Sequence, residues 1–144
     1  MHERVAPDAC IFCKIVRGEI PAHRVFEDER TMVFMDIFPV ADGHTLVIPK
    51  AHCTNLLDAE ASDLEAVIAL SQRVAHAIRE VITPDGIGVF QLNGAAAGQS
   101  VFHYHMHLIP RMQGNAFQLH GRAQGDPERL AEMARSLAAV ISTD

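Results

Sequence analysis

Three histidines, separated by single large residues, stand in the run Phe102-His103-Tyr104-His105-Met106-His107-Leu108-Ile109-Pro110. Imidazole works near neutral pH as a nucleophile, a proton carrier or a metal ligand. Successive side chains of a β-strand point to opposite faces. The spacing therefore predicts a strand with His103, His105 and His107 in one row and Phe102, Tyr104, Met106 and Leu108 packed behind them. Core packing has no use for three imidazoles in line, because each would need its own buried partner. The row reads as a site.

Two chemistries fit it. One is a metal centre that uses several of these histidines. The other is phosphoryl transfer with a histidine nucleophile. The preceding segment, Asn93-Gly94-Ala95-Ala96-Ala97-Gly98-Gln99-Ser100, leans toward the second. Backbone amides in a glycine-bearing turn form an anion nest, and Asn93, Gln99 and Ser100 add neutral donors. A metal-only site would bring carboxylates, and none lies between Asp85 and Asp126. Separately, Cys10-x-x-Cys13 is half of a zinc site by spacing. Cys53 is the third cysteine of the chain, and an odd count disfavours a disulfide scaffold.

The surrounding elements follow from periodicity. Residues 10–17 suit a short helix ended by Gly18, after a frayed arm at 1–9. Strands are expected at 23–28 and 31–36, the second nearly all apolar, and a β-rich run at 44–48 closes at Pro49. Residues 58–82 carry apolar side chains at helical spacing, with Asp58 or Ser62 as cap. Residues 88–92 are a further strand, and 127–141 a last amphipathic helix with Pro127 at its first position. His2, His23, His76 and His120 fall in no pattern. Few segments fit a strand-helix-strand crossover, so an α+β class with an antiparallel sheet and helices on one face is expected.

The chain has 144 residues, which suits one domain. Its net charge of −6, with scattered Lys and Arg, argues against binding a nucleic-acid polymer but leaves room for a nucleotide. No run reaches a membrane span. Met1-His2-Glu3-Arg4 lacks a signal-peptide stretch, so a cytoplasmic protein is expected. The apolar face and small residues of the long helix suit pairing across a two-fold axis, as in a homodimer.

Four ordered motifs now resemble one family, the histidine triad nucleotide hydrolases and transferases. They are Cys10-Ile11-Phe12-Cys13-Lys14-Ile15, Gly43-His44-Thr45-Leu46-Val47-Ile48-Pro49-Lys50, the loop Asn93 to Ser100, and His103-Tyr104-His105-Met106-His107-Leu108-Ile109. The resemblance covers residues 10–111 and leaves 112–144 as a C-terminal extension. It implies the family's fold, an antiparallel five-stranded sheet with a long helix and short flanking helices. It implies that His105 takes a nucleotidyl group, that His107 binds a phosphate oxygen and assists proton transfer, and that His44 supports the nucleophile. Asn93, Gly98, Gln99 and Ser100 would hold the α-phosphate and the leaving-group side. Asp36 would accept the ribose hydroxyls, and Ile11, Phe12, Phe34 and Ile37 would sandwich a purine.

The resemblance further implies a structural zinc on Cys10, Cys13, His52 and His103, with no metal required for catalysis. The opening motif and Asn93 lean toward nucleoside phosphoramidates as substrates. Dinucleoside polyphosphates are the alternative, and the extension departs from the short tail of the phosphoramidase branch. A nucleotide-binding regulator with incidental hydrolysis is a third reading. The sugar-phosphate branch carries proline between its last two histidines, where this chain has Met106.

Overall fold

The structure, a computed structural model, describes residues 4–115, 118, 120–121 and 123–142. His2, the start of the expected arm and parts of the polar stretch 115–126 lie outside the described residues. Helix α1 spans Ile11–Val16, α2 Ala61–Ile82 and α3 Pro127–Ser142. The strands are β1 Arg24–Glu27, β2 Thr31–Met35, β3 Thr45–Pro49, β4 Gly86–Phe90 and β5 Met106–Arg111. All pairings are antiparallel, in the order β1-β2-β3-β5-β4. Residues 7–9 of the expected arm form a 3-10 turn.

Strands β2 and β3 are buried throughout. Period-2 alternation therefore sorts two apolar sets rather than an apolar and a polar one. Val33, Met35 and Val47 join the cluster under α2 and α3, where Val67, Leu70, Val74, Ile78, Leu130, Leu137 and Ile141 close the core. Met32, Phe34, Leu46 and Ile48 point the other way and pack on Phe12, Cys13 and Ile15 of α1. Helices thus cover both faces, not one face as the element order suggested. The short α1 was too small to announce a second layer.

Two further expectations shift. The long helix begins at Ala61, with Glu60 as its N-cap and no side-chain capping bond. Asp58 instead accepts the backbone N–H groups of Thr54 and Asn55 and closes the preceding turn. The Ser62 hydroxyl accepts from Arg30. The second shift concerns the histidine row, which enters the ladder only at Met106. The β3–β5 pairing stops at Val47 opposite Met106. Just beyond it Pro49 has no N–H to donate, and its carbonyl accepts from the imidazole of His103. The N–H of Tyr104 goes to Cys53 O, so side chain and loop replace the missing rungs.

Gly43 fixes the entry to β3. Its φ is +89°, and a Cβ there would lie 2.3 Å from Ile82 Cδ1 and 3.1 Å from Pro110 Cγ. Left-handed backbone and close packing both demand glycine. Gly43→Ala is expected to destabilise the protein by about 2 kcal/mol, read as a lower urea midpoint at unchanged m-value.

Candidate functional site

The α1-covered face of the sheet carries the site. Cross-strand partners share a face, and the registers place Phe34 opposite Leu46, Leu46 opposite His107, and His107 opposite Phe90. The Phe90 ring stacks on His107 at 4.6 Å between centroids. Phe90 was not singled out in the sequence. Its signal, an aromatic ending a strand, becomes readable only once the register is known.

The three histidines divide between two places. His105 and His107 lie together, with ring centroids 4.8 Å apart. His103 turns toward the cysteines, with Nδ1 3.4 Å from Cys10 Sγ and 3.5 Å from Cys13 Sγ. Phe12 meets His105 edge-on at 5.1 Å, and it contacts His103 and Phe34 as well.

Hydrogen-bond partners determine the protons. The carbonyl of His103 can only accept, so His105 Nδ1, 2.7 Å away, carries the hydrogen. Neutral His105 therefore holds its lone pair on Nε2. The backbone N–H of Val40 donates to His44 Nδ1 at 3.0 Å, which puts the His44 proton on Nε2. That proton is donated to His107 Nδ1, again at 3.0 Å. Neutral His107 then carries its proton on Nε2, an atom that is buried and has no hydrogen-bond partner among the described residues. His105 and His107 are thus held in opposite tautomers by their surroundings.

Burial keeps these rings neutral. It is the largest cause at each, pushing His44 down to about 3 and His107 down to about 2, with neighbouring imidazoles adding to the effect. His105 is lowered as well, chiefly by burial, although its bond to His103 O works the other way. Asp36 is raised by burial, and the Phe38 N–H it accepts opposes the shift. Its other oxygen lies 3.4 Å from His44 Nε2.

The remaining candidates are placed as follows. Ile11 and Ile37 are exposed, whereas Phe12 and Phe34 are buried against one another. Asn93 Oδ1 accepts from Leu56 N and Gln91 Nε2, leaving its NH2 group to donate elsewhere. Gln99 donates to Thr54 O and Val101 O and accepts from Gly94 N, so its carboxamide braces the loop from within. Gly94 and Gly98 hold positive φ at the two ends of the 3-10 turn Ala95–Ala97, and Ser100 is exposed beside it. His44 reaches His107 rather than His105 directly.

The cysteine pair forms a second cluster. Cys10 Sγ, Cys13 Sγ and one nitrogen each of His52 and His103 all lie within 4.8 Å of one another. Cys13 Sγ is 3.3 Å from His52 Nδ1. A zinc tetrahedron with bonds of about 2.0–2.3 Å has edges of about 3.5 Å, so the donor set fits the ion. His103 Nε2 donates to Pro49 O at 2.8 Å, which leaves Nδ1 as the lone-pair atom facing both sulfurs. This is the usual outer support of a metal-binding histidine. Burial, followed by the neighbouring Cys10, pushes the Cys13 thiol up to about 12, and a bound dication would reverse that by taking the thiolate. Cys53 is buried and raised to about 11, mainly by burial.

His103, pushed down to about 4 mainly by burial, joins His44 and His107 as rings that refuse protons when folded. The unfolded chain takes those protons up below about pH 6.5. Stability is therefore full above that pH and falls as the medium becomes more acid, by about 1.4 kcal/mol per pH unit for each such ring. Asp36, raised in the fold, acts in the opposite direction. The urea midpoint is expected to drop clearly between about pH 7.5 and about pH 5.

The chain is similar to known proteins over most of its length. The HIT domain family matches residues 17–114. Protein hit of Bacillus subtilis is 43% identical over 133 residues, covering 90% of this chain and 92% of its own. The adenylylsulfatase HINT3 of Arabidopsis thaliana is 38% identical over 104 residues, covering 72% of this chain and 53% of that one. The crystal structure of a zinc-bound histidine triad family protein from Mycobacterium smegmatis superposes with a TM-score of 0.84 at 39% identity, over 96% of each chain. The chain belongs to the HIT domain family.

Proposed function

We propose that the protein hydrolyses or transfers purine nucleotides through a covalent nucleotidyl-His105 intermediate. The observation that carries this reading is the pair of opposite tautomers. His105 offers a lone pair on Nε2, and His107 beside it offers an N–H with no acceptor among the described residues. A nucleophile next to a buried donor without an acceptor is what attack at phosphorus requires. Nε2 of His105 forms the bond to phosphorus, while His107 Nε2–H holds a non-bridging oxygen as its charge grows. Water then cleaves the P–N bond and regenerates the imidazole. The adenylylsulfatase relative supports a nucleotide substrate.

In this reading Asp36 takes the ribose hydroxyls, and Ile11 and Ile37 flank the base over Phe12 and Phe34. Asn93, Gly98 and Ser100 line the phosphate side, and Gln99 keeps their loop in shape. A nucleoside phosphoramidate is the favoured substrate, with a dinucleoside polyphosphate as the alternative. Strand β4 is a sheet edge, and exposed Val89 on it lies beside exposed Ile68 of α2. An apolar sheet edge of this kind supports pairing as a homodimer.

Incubation with an adenosine 5′-phosphoramidate and rapid quench is expected to give an adenylyl mass adduct in the wild-type protein and none in His105→Ala. Turnover should fall in the variant by at least about 10⁴-fold. Equal turnover by the variant would defeat the nucleophile assignment.

Zinc on Cys10, Cys13, His52 and His103 would supply rigidity where α1 meets the nucleophile's segment, because a Cys2His2 set leaves no open position. Purified protein is expected to carry about one zinc per chain. Cys13→Ser should lose the metal and unfold at lower temperature, whereas His105→Ala should retain it, as read by elemental analysis and thermal melts.

A further inference from the structure

The geometry points to His120, in the C-terminal extension, as a catalytic residue that protonates the leaving group. This inference rests on the nucleotidyl-transfer reading above. His120 is exposed at the rim of the site, and its ring lies 6.0 Å from that of His107. Its Nε2 is 2.6 Å from Gly98 O, on the loop that borders the phosphate side. A carbonyl can only accept, so Nε2 carries a hydrogen. Nδ1 is then the atom that gains and loses a proton.

The position is built rather than incidental. A Cβ on the next residue, Gly121, would lie 2.3 Å from Phe38 O and 2.4 Å from Pro39 O, so the two backbones meet where no side chain fits. Gly125 N–H donates to Ile37 O at 2.7 Å, and a Cβ there would lie 3.1 Å from the Pro39 ring. The segment bearing His120 is thereby fastened to the loop that follows Asp36, while the imidazole is fastened to the loop 94–98. His120 also lies close enough that its charge depresses His44, His105 and His107.

The pocket needs such a group. His105 holds its proton on Nδ1 against a carbonyl, and the proton of His107 faces the phosphate. Asp36 carries no donor when ionised. In an in-line displacement the leaving atom departs opposite the nucleophile. As His105 Nε2 bonds to phosphorus, the bond from phosphorus to an amine breaks. The electron pair stays on the amine nitrogen, and His120 Nδ1–H supplies the proton that neutralises it. In the second step water bonds to phosphorus and gives its proton to His120 Nδ1. The electron pair of the P–N bond returns to His105, and both residues are restored.

The test compares two adenosine 5′-monophosphate derivatives, a primary alkylamine phosphoramidate and a p-nitrophenyl ester. The amine cannot leave without a proton, and p-nitrophenolate can. His120→Ala is expected to lower kcat/KM for the phosphoramidate on the order of 10²-fold and for the ester by less than about threefold. His120→Gln retains an N–H for Gly98 O but has no proton to give, so it should match the alanine variant. Recovery of the phosphoramidate rate by glutamine, or equal loss on both substrates, would reduce His120 to a positioning residue and overturn the proposal. An unchanged rate in both variants would overturn it as well. Failure of the wild-type protein on both compounds would instead defeat the nucleotidyl-transfer reading itself.

Discussion

The hydrogen bond from His103 Nε2 to the carbonyl of Pro49 governs how the rest of the site is arranged. It stands where the β3–β5 ladder ends, and it sets both ends of one residue. The ring is turned so that Nδ1 faces Cys10 and Cys13. The backbone, released from the ladder, presents its carbonyl to His105 Nδ1. One contact therefore turns His103 Nδ1 toward the two cysteines and fixes the tautomer of its neighbour two residues on. A zinc ion held by His103 would tighten the same geometry through the covalent chain, with no need to touch the reacting atoms.

The second organising constraint is neutrality. His44, His103, His105 and His107 are buried close together, and the charge of a neighbouring imidazole opposes protonation at each of them. A charged ring among them would lack solvent and face repulsion. Neutral rings must be ordered by hydrogen bonds rather than by ion pairs, and the sequence Val40 N–H, His44, His107 does this in one direction. Its last member ends in a buried donor with no acceptor among the described residues, a costly feature in a folded protein unless something else supplies the acceptor. In the proposed reaction an anionic phosphate oxygen would do so with a charge-assisted bond.

Much of this was legible in the residues. The strands β2 and β3, the helical spacing of α2 and α3, and the grouping of His105 with His107 all follow from period and type. The division of the histidine row did not. It depends on Pro49, 54 residues away in a different strand, which cannot donate a ladder bond and accepts a side chain instead. Gln99 illustrates a related limit. Its type suggests a donor to substrate, yet backbone groups of Thr54, Gly94 and Val101 satisfy it. Composition gives a side chain's capacity to bond, and only the fold says where that capacity is used.

His120 marks the far end of the same limit. Nothing in its neighbourhood of the sequence has a period or motif, and its relevance comes from two glycines that let backbone meet backbone. Gly121 and Gly125 would read as ordinary loop residues, but a Cβ on either meets the loop 37–39 at close range. Described residues of the extension are joined to the loop after Asp36 by the backbone bond of Gly125 and to Gly98 O by the imidazole of His120. Strand β5 positions His107, and the segment just before it positions His105. The extension, which belongs to neither the sheet nor the four motifs, places His120 beside His107. In the proposed reaction, chemistry at phosphorus would belong to His105 and His107, and His120 of the extension would act on the leaving group.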